Sequence, residues 1–92
     1  MQPELKYINK GRSGYIIFKD REAEISFYYE FGGGACVAVI AIPPEAEWQS
    51  RTNHRIEERE SILHLIGTQV VKDQSPGGYY LLKADTIGIY GG

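Results

Sequence analysis

The segment Glu24–Phe31 alternates strictly, with Ile25, Phe27, Tyr29 and Phe31 on one side and Ser26, Tyr28 and Glu30 on the other. Successive side chains of an extended chain point to opposite faces, so this pattern predicts a half-buried β-strand. Gly32-Gly33-Gly34 follows, and then Ala35–Ile42, a run with no polar side chain. A strand, a glycine turn and a second apolar run predict a hairpin, and the second strand is expected to be buried on both faces near the middle of a sheet. Such a hairpin cannot stand alone. It needs neighbouring strands for its main-chain groups and a cover for its apolar face.

The remaining segments supply both. Leu5–Asn9 and Tyr15–Lys19 read as two strands around the turn Asn9–Gly14, and Asp20-Arg21-Glu22 reads as an exposed hairpin tip before the third strand. Pro43-Pro44 ends the fourth strand and opens a short helix through Glu45, Ala46, Glu47 and Trp48. A longer helix is expected next, with Asn53 capping its start, Glu57 and Glu58 in its first turns and Lys72 near its end. At 100° per residue its apolar stripe is Ile56, Ile62, Leu63, Ile66 and Val70, with Gly67 at the margin. Ser75-Pro76-Gly77-Gly78 stops the helix, and Tyr79–Lys83 with Thr86–Tyr90 form a last pair of strands. The order ββββ-α-ββ defines an α+β fold: an antiparallel sheet of five or six strands with one main amphipathic helix on one face. With 92 residues, no repeat and no linker, residues 1–92 are read as one domain.

Charge excludes some functions. A net charge of -2 and a pI near 5.6 argue against a nucleic-acid binder, which needs a clustered basic surface to displace counterions. The charge is uneven: residues 1–21 carry five basic and two acidic side chains, whereas residues 22–60 carry three and eight. No apolar leader follows Met1, the longest apolar run is too short for a bilayer, and Cys36 is the only cysteine. These features predict a cytoplasmic protein without a membrane span.

Catalytic and metal motifs are weak. His54 and His64 stand ten residues apart, expected on different faces of one helix, and Cys36 has no cysteine partner, so neither a metal site nor a cofactor is expected. No serine sits in a nucleophile elbow, and no base, nucleophile and orienting group are suggested together. The side chains singled out for binding are Arg59, Trp48, Tyr28 and Tyr29. Arg59 projects into the helix's apolar stripe, where a guanidinium must find a carboxylate or reach outward; Asp85, Asp73 and Glu30 are the candidate partners. The terminal Gly91-Gly92 resembles the ending of ubiquitin-like proteins and sulfur carriers, which implies a carrier role for the tail.

Three functions follow: a non-enzymatic protein-interaction module acting as a homodimer or on a protein partner, a carrier using Gly91-Gly92, and a small ligand-binding domain or enzyme organised around Arg59. The first is favoured. A helix about 10 Å wide roofs only two or three strands spaced about 4.8 Å apart. Phe18, Phe27 and Tyr29 are therefore expected to need a second copy of the chain to cover them.

Overall fold

The structure is a computed structural model and describes residues 4–20 and 24–91. Six strands form one antiparallel sheet: β1 (Glu4–Lys10), β2 (Ser13–Lys19), β3 (Glu24–Phe31), β4 (Cys36–Ala41), β5 (Tyr79–Leu82) and β6 (Thr86–Tyr90). Two helices, α1 (Glu45–Thr52) and α2 (Ile56–Gln74), lie between β4 and β5. The spatial order is β1-β2-β3-β4-β6-β5. The α+β fold follows the order of elements read from the sequence, with all six strands in the sheet.

Register separates the two faces. One row across the sheet reads Asn9, Gly14, Tyr29, Ile40, Ile87 and Leu82. It lies on the helix side, where Tyr29, Ile40 and Ile87 are buried. The adjacent row reads Lys10, Ser13, Glu30, Val39, Gly88 and Leu81 and lies on the other face. β4 is interior, as expected, but it is not buried on both faces. Its exposure alternates, with Ala38 and Ile40 buried while Val39 and Ala41 are exposed, because the helices cover one face only. Phe31 also departs from expectation: it continues the inward pattern of β3 but sits at the strand's end and is exposed.

The expectation that one helix cannot roof this sheet fails for a geometric reason. The sheet curls around α2 until both edge strands reach it. At one edge Tyr7 of β1 donates its hydroxyl proton to Asp73 of α2 at 2.7 Å. At the other, Tyr80 of β5 meets His64 with its hydroxyl 2.6 Å from Nδ1 and lies against Gly67, where an added Cβ would fall 2.6 Å from the ring. Trp48 of α1, fully buried, fills the space that α2 leaves. Phe18 and Tyr29 are thereby 1% and 6% exposed within a single chain, so this core calls for no second copy.

The helix boundary also differs. Asn53 is not the cap of α2; it ends α1 in the left-handed conformation at φ 61°, donating its N–H to Gln49. Asparagine tolerates that conformation because its short polar side chain bonds locally. The chain then extends through Arg55 and α2 begins at Ile56, which stands on the exposed side of the first turn rather than in the apolar stripe. Ile62, Leu63, Ile66, Gly67 and Val70 are buried as read. His54 accordingly lies in the elbow between helices, not on a helix with His64.

The two faces of β4 make a direct test. Val39→Asp is expected to cost about 1 kcal/mol, the usual penalty for aspartate in a strand. Ile40→Asp, one residue away, buries an unpaired carboxylate and is expected to unfold the domain. Urea denaturation of both variants checks this, and equal losses would contradict the assignment of faces.

Candidate functional site

Arg59 and Trp48, both singled out from the sequence, are brought together beneath α1, and neither is open to a ligand. Trp48 donates its indole N–H to the Arg55 carbonyl at 3.1 Å, and the Arg59 guanidinium lies over its ring at 5.9 Å from the centroid. Arg59 is 8% exposed, which meets the expectation of burial. Its partners are a correction: among the described residues no carboxylate lies within ion-pair distance. Nε and one Nη donate to the Pro43 carbonyl at 3.3 and 3.1 Å, and the same Nη donates to the Ala84 carbonyl at 2.8 Å. Main-chain carbonyl dipoles take the place of a counter-charge. The guanidinium thus ties α2 to the end of β4 and to the β5–β6 turn, which are also joined by Ile42 N–H donating to the Asp85 carbonyl at 3.0 Å.

A second buried polar group lies in the elbow between the helices, at a position the sequence reading placed on a helix. His54 is 2% exposed and packs edge-on against Phe18. Its Nδ1 is 3.1 Å from the Thr52 carbonyl and its Nε2 is 3.2 Å from the Asp20 carboxylate. The Thr52 carbonyl accepts, and the Asp20 carboxyl accepts when ionised, so with Asp20 charged the geometry favours a proton on each nitrogen. Burial pulls the imidazole pKa down, but the Thr52 carbonyl, the Asp20 carboxylate and the charge of Glu58 outweigh it and hold the pKa above its ordinary value. Asp20, expected on an exposed tip, is instead partly buried against His54, while Arg21 and Glu22 lie outside the described residues. Thirty-four residues separate the pair, and no local pattern announces such a contact.

The tyrosines divide by register. Tyr29 enters the core and lines a small apolar cavity of about 90 Å³ with Phe31, Val37, Val70 and others. Tyr28 points the other way, onto the face without helices, and donates to Glu30 at 2.8 Å. There it meets Tyr15 edge to face at 5.8 Å. Tyr79 and Tyr90 stack at 5.2 Å at the far side of the same face, Tyr90 lying over Gly88. Ile8, Val39 and Leu81 complete it, and Ile8, Tyr15, Tyr28, Val39, Tyr79 and Leu81 are 38–52% exposed. Its charges are Glu4, Lys6 and Lys10 on β1, Lys19 on β2, which pairs with Glu24 of β3 at 3.8 Å, and Glu30 on β3. With five strand spacings of about 4.8 Å and strands of about 20 Å, the face covers roughly 500 Å². The sequence reading also groups Tyr79, Tyr80 and Tyr90 with Tyr28 and Tyr29 as rings alternating between the sheet faces, but it does not single out Val39 and Leu81 for this face; the alternation of β4 and β5 holds that signal only once the register assigns a face.

Among the described residues no group of three His, Cys, Asp or Glu side chains could hold a metal ion, and no helix is long and apolar enough to cross a membrane. Gly91 donates its N–H to the Ala35 carbonyl at 3.1 Å, which ties down the residue after β6; Gly92 lies outside the described residues. No family model, curated protein or solved structure matches this chain.

Two outcomes test the buried cluster. Arg59→Met keeps most of the volume and strands the buried Pro43 carbonyl, at an expected cost of about 1–3 kcal/mol by chemical denaturation; a loss near zero would show the hydrogen bonds to be incidental. Because the His54 pKa is raised on folding, its contribution is fully present below its ordinary value of 6.5 and fades as pH rises through the raised value. The thermal midpoint of the native chain should therefore exceed that of His54→Gln most at mildly acidic pH and least at alkaline pH. A difference that grows with pH would reverse the assigned charge state.

Proposed function

We propose that this chain is a non-enzymatic protein-interaction module whose open sheet face docks a protein partner. One observation carries the reading: a single face of the sheet presents two tyrosine pairs, Ile8, Val39 and Leu81 to solvent, although the same chain buries its other face completely enough to leave Ile40, Ile87 and Ile89 at 0% exposure. Aromatic side chains with polar tips are the preferred material of interface centres, since they bury large area at little conformational cost and keep a hydroxyl for hydrogen bonding. These groups share a sheet face of roughly 500 Å² by strand spacing, its charged and polar side chains included. Lys6 and Lys10 of β1 and Glu30 of β3, charges on the same face, would orient the partner.

Neither alternative finds comparable support. Arg59 bonds main-chain carbonyls at a site shut by Trp48, and Gly91 is held against Ala35. The half-buried free thiol of Cys36 suits a reducing cytoplasm, which belongs to the same proposal.

Site-specific photocrosslinking in the source cell tests the docking face. A photoreactive residue in place of Tyr28 or Val39 should give a discrete adduct, while one in place of Glu60 or Thr68, on the exposed side of α2, should give none. The adduct made from position 28 should vanish when Val39→Lys is added. Equal adducts from sheet and helix positions, or none from the sheet, would overturn the reading.

A further inference from the structure

The sheet order ends on β1, which is hydrogen-bonded to a strand on one side only. An edge of this kind offers unpaired main-chain donors and acceptors to another strand. Which groups face outward follows from the turn. Gly11 at φ 77° begins a two-residue connection that sets Lys10 opposite Ser13, and such a turn is closed by a hydrogen-bonded pair. Counting back by alternation, Lys10, Ile8 and Lys6 direct their main-chain groups to β2. The Ile8 carbonyl does point at β2, where a Cβ on Gly14 would collide with it. Leu5, Tyr7 and Asn9 then direct theirs away from the sheet.

We infer that β1 pairs antiparallel with β1 of a second copy, with Tyr7 opposite the partner's Tyr7. This register places Leu5 opposite the partner's Asn9, so the outward groups of both strands meet. On the open face it sets Glu4 opposite the partner's Lys10, twice by symmetry, and lays the Lys6 stem on the partner's Ile8. The neighbouring registers that keep the hydrogen bonds in phase set Lys6 opposite either the partner's Lys6 or the partner's Lys10. Like charges directly opposite are destabilising, so charge selects one register. Apolar groups flank the edge on both sides: Ile8 is 41% exposed on the open face, and Leu65 of α2, beside Leu5, is 38% exposed on the helix side.

The two-fold axis is perpendicular to the sheet. Two sheets of six strands become one continuous sheet, and both open faces look the same way. The pairing does not depend on the docking role proposed for that face, but it would make the docking surface bivalent.

Sedimentation of the full chain from micromolar to millimolar concentration tests the pairing. The native chain should dimerise. Lys10→Glu, which opposes carboxylates at both ends of the paired strands, should weaken the dimer about tenfold, and Glu4→Lys combined with Lys10→Glu should restore it. Asn9→Pro removes an outward N–H at an edge where proline is tolerated and should also dissociate the dimer. Circular dichroism establishes that each variant is folded, and Val39→Lys on β4 should sediment as the native chain does. A native chain that stays monomeric throughout, or a dimer indifferent to Lys10→Glu, overturns the inference.

Discussion

The fold depends on how tightly a six-stranded sheet curls about one helix. A flat sheet would leave β1 and β2 without cover, and Phe18, Phe27 and Tyr29 would face water. Curling brings the edges to α2, where Tyr7 reaches Asp73 and Tyr80 closes on Gly67 and His64. Burial and the Asp73 carboxylate together raise the Tyr7 pKa well above that of a free phenol, so the hydroxyl remains a donor across the working range of pH. The remaining space is filled by Trp48 from α1 and not by a further element.

A second consequence follows from the elbow between helices. For Trp48 to enter the core the chain must turn sharply after Thr52, and the turn brings polar groups inside. Each is met: the Thr52 hydroxyl bonds the Trp48 carbonyl and accepts the His54 N–H, His54 bridges to Asp20, and Arg59 bonds two carbonyls. No buried side-chain polar atom among the described residues lacks a partner. A buried network that is fully satisfied specifies one arrangement, and here it locks α1, α2, the end of β2 and the β5–β6 turn into one unit.

Local physics made much of this legible in the sequence. Alternation in β3, the glycine turn, Pro43-Pro44 and the 3.6-residue stripe of α2 are short-range signals, and each element appears where its signal stands. Long-range geometry was not legible. Asn53 carries the side chain of a helix start and performs a helix end, because both uses exploit the same short polar group. Arg59 was read as buried, yet its partners lie 16 and 25 residues away on loops whose approach no periodicity encodes. The second face of β4 was misread because Val39 and Ala41 are as apolar as Ala38 and Ile40; an apolar strand with one covered face differs from a fully buried one only in its neighbours. That same ambiguity hides the aliphatic part of the candidate docking surface, Val39 and Leu81.

One chain closes its own core and leaves one sheet face open. Solvent paramagnetic relaxation, measured by NMR on dilute monomeric protein with a neutral soluble probe, reads this residue by residue. Side-chain protons of Tyr15, Tyr28, Val39, Tyr79 and Leu81 should relax strongly, while those of Phe18, Phe27, Tyr29, Ile40 and Ile87 should be protected. Strong relaxation of Phe18 and Tyr29 in the monomer would contradict closure of the sheet on α2.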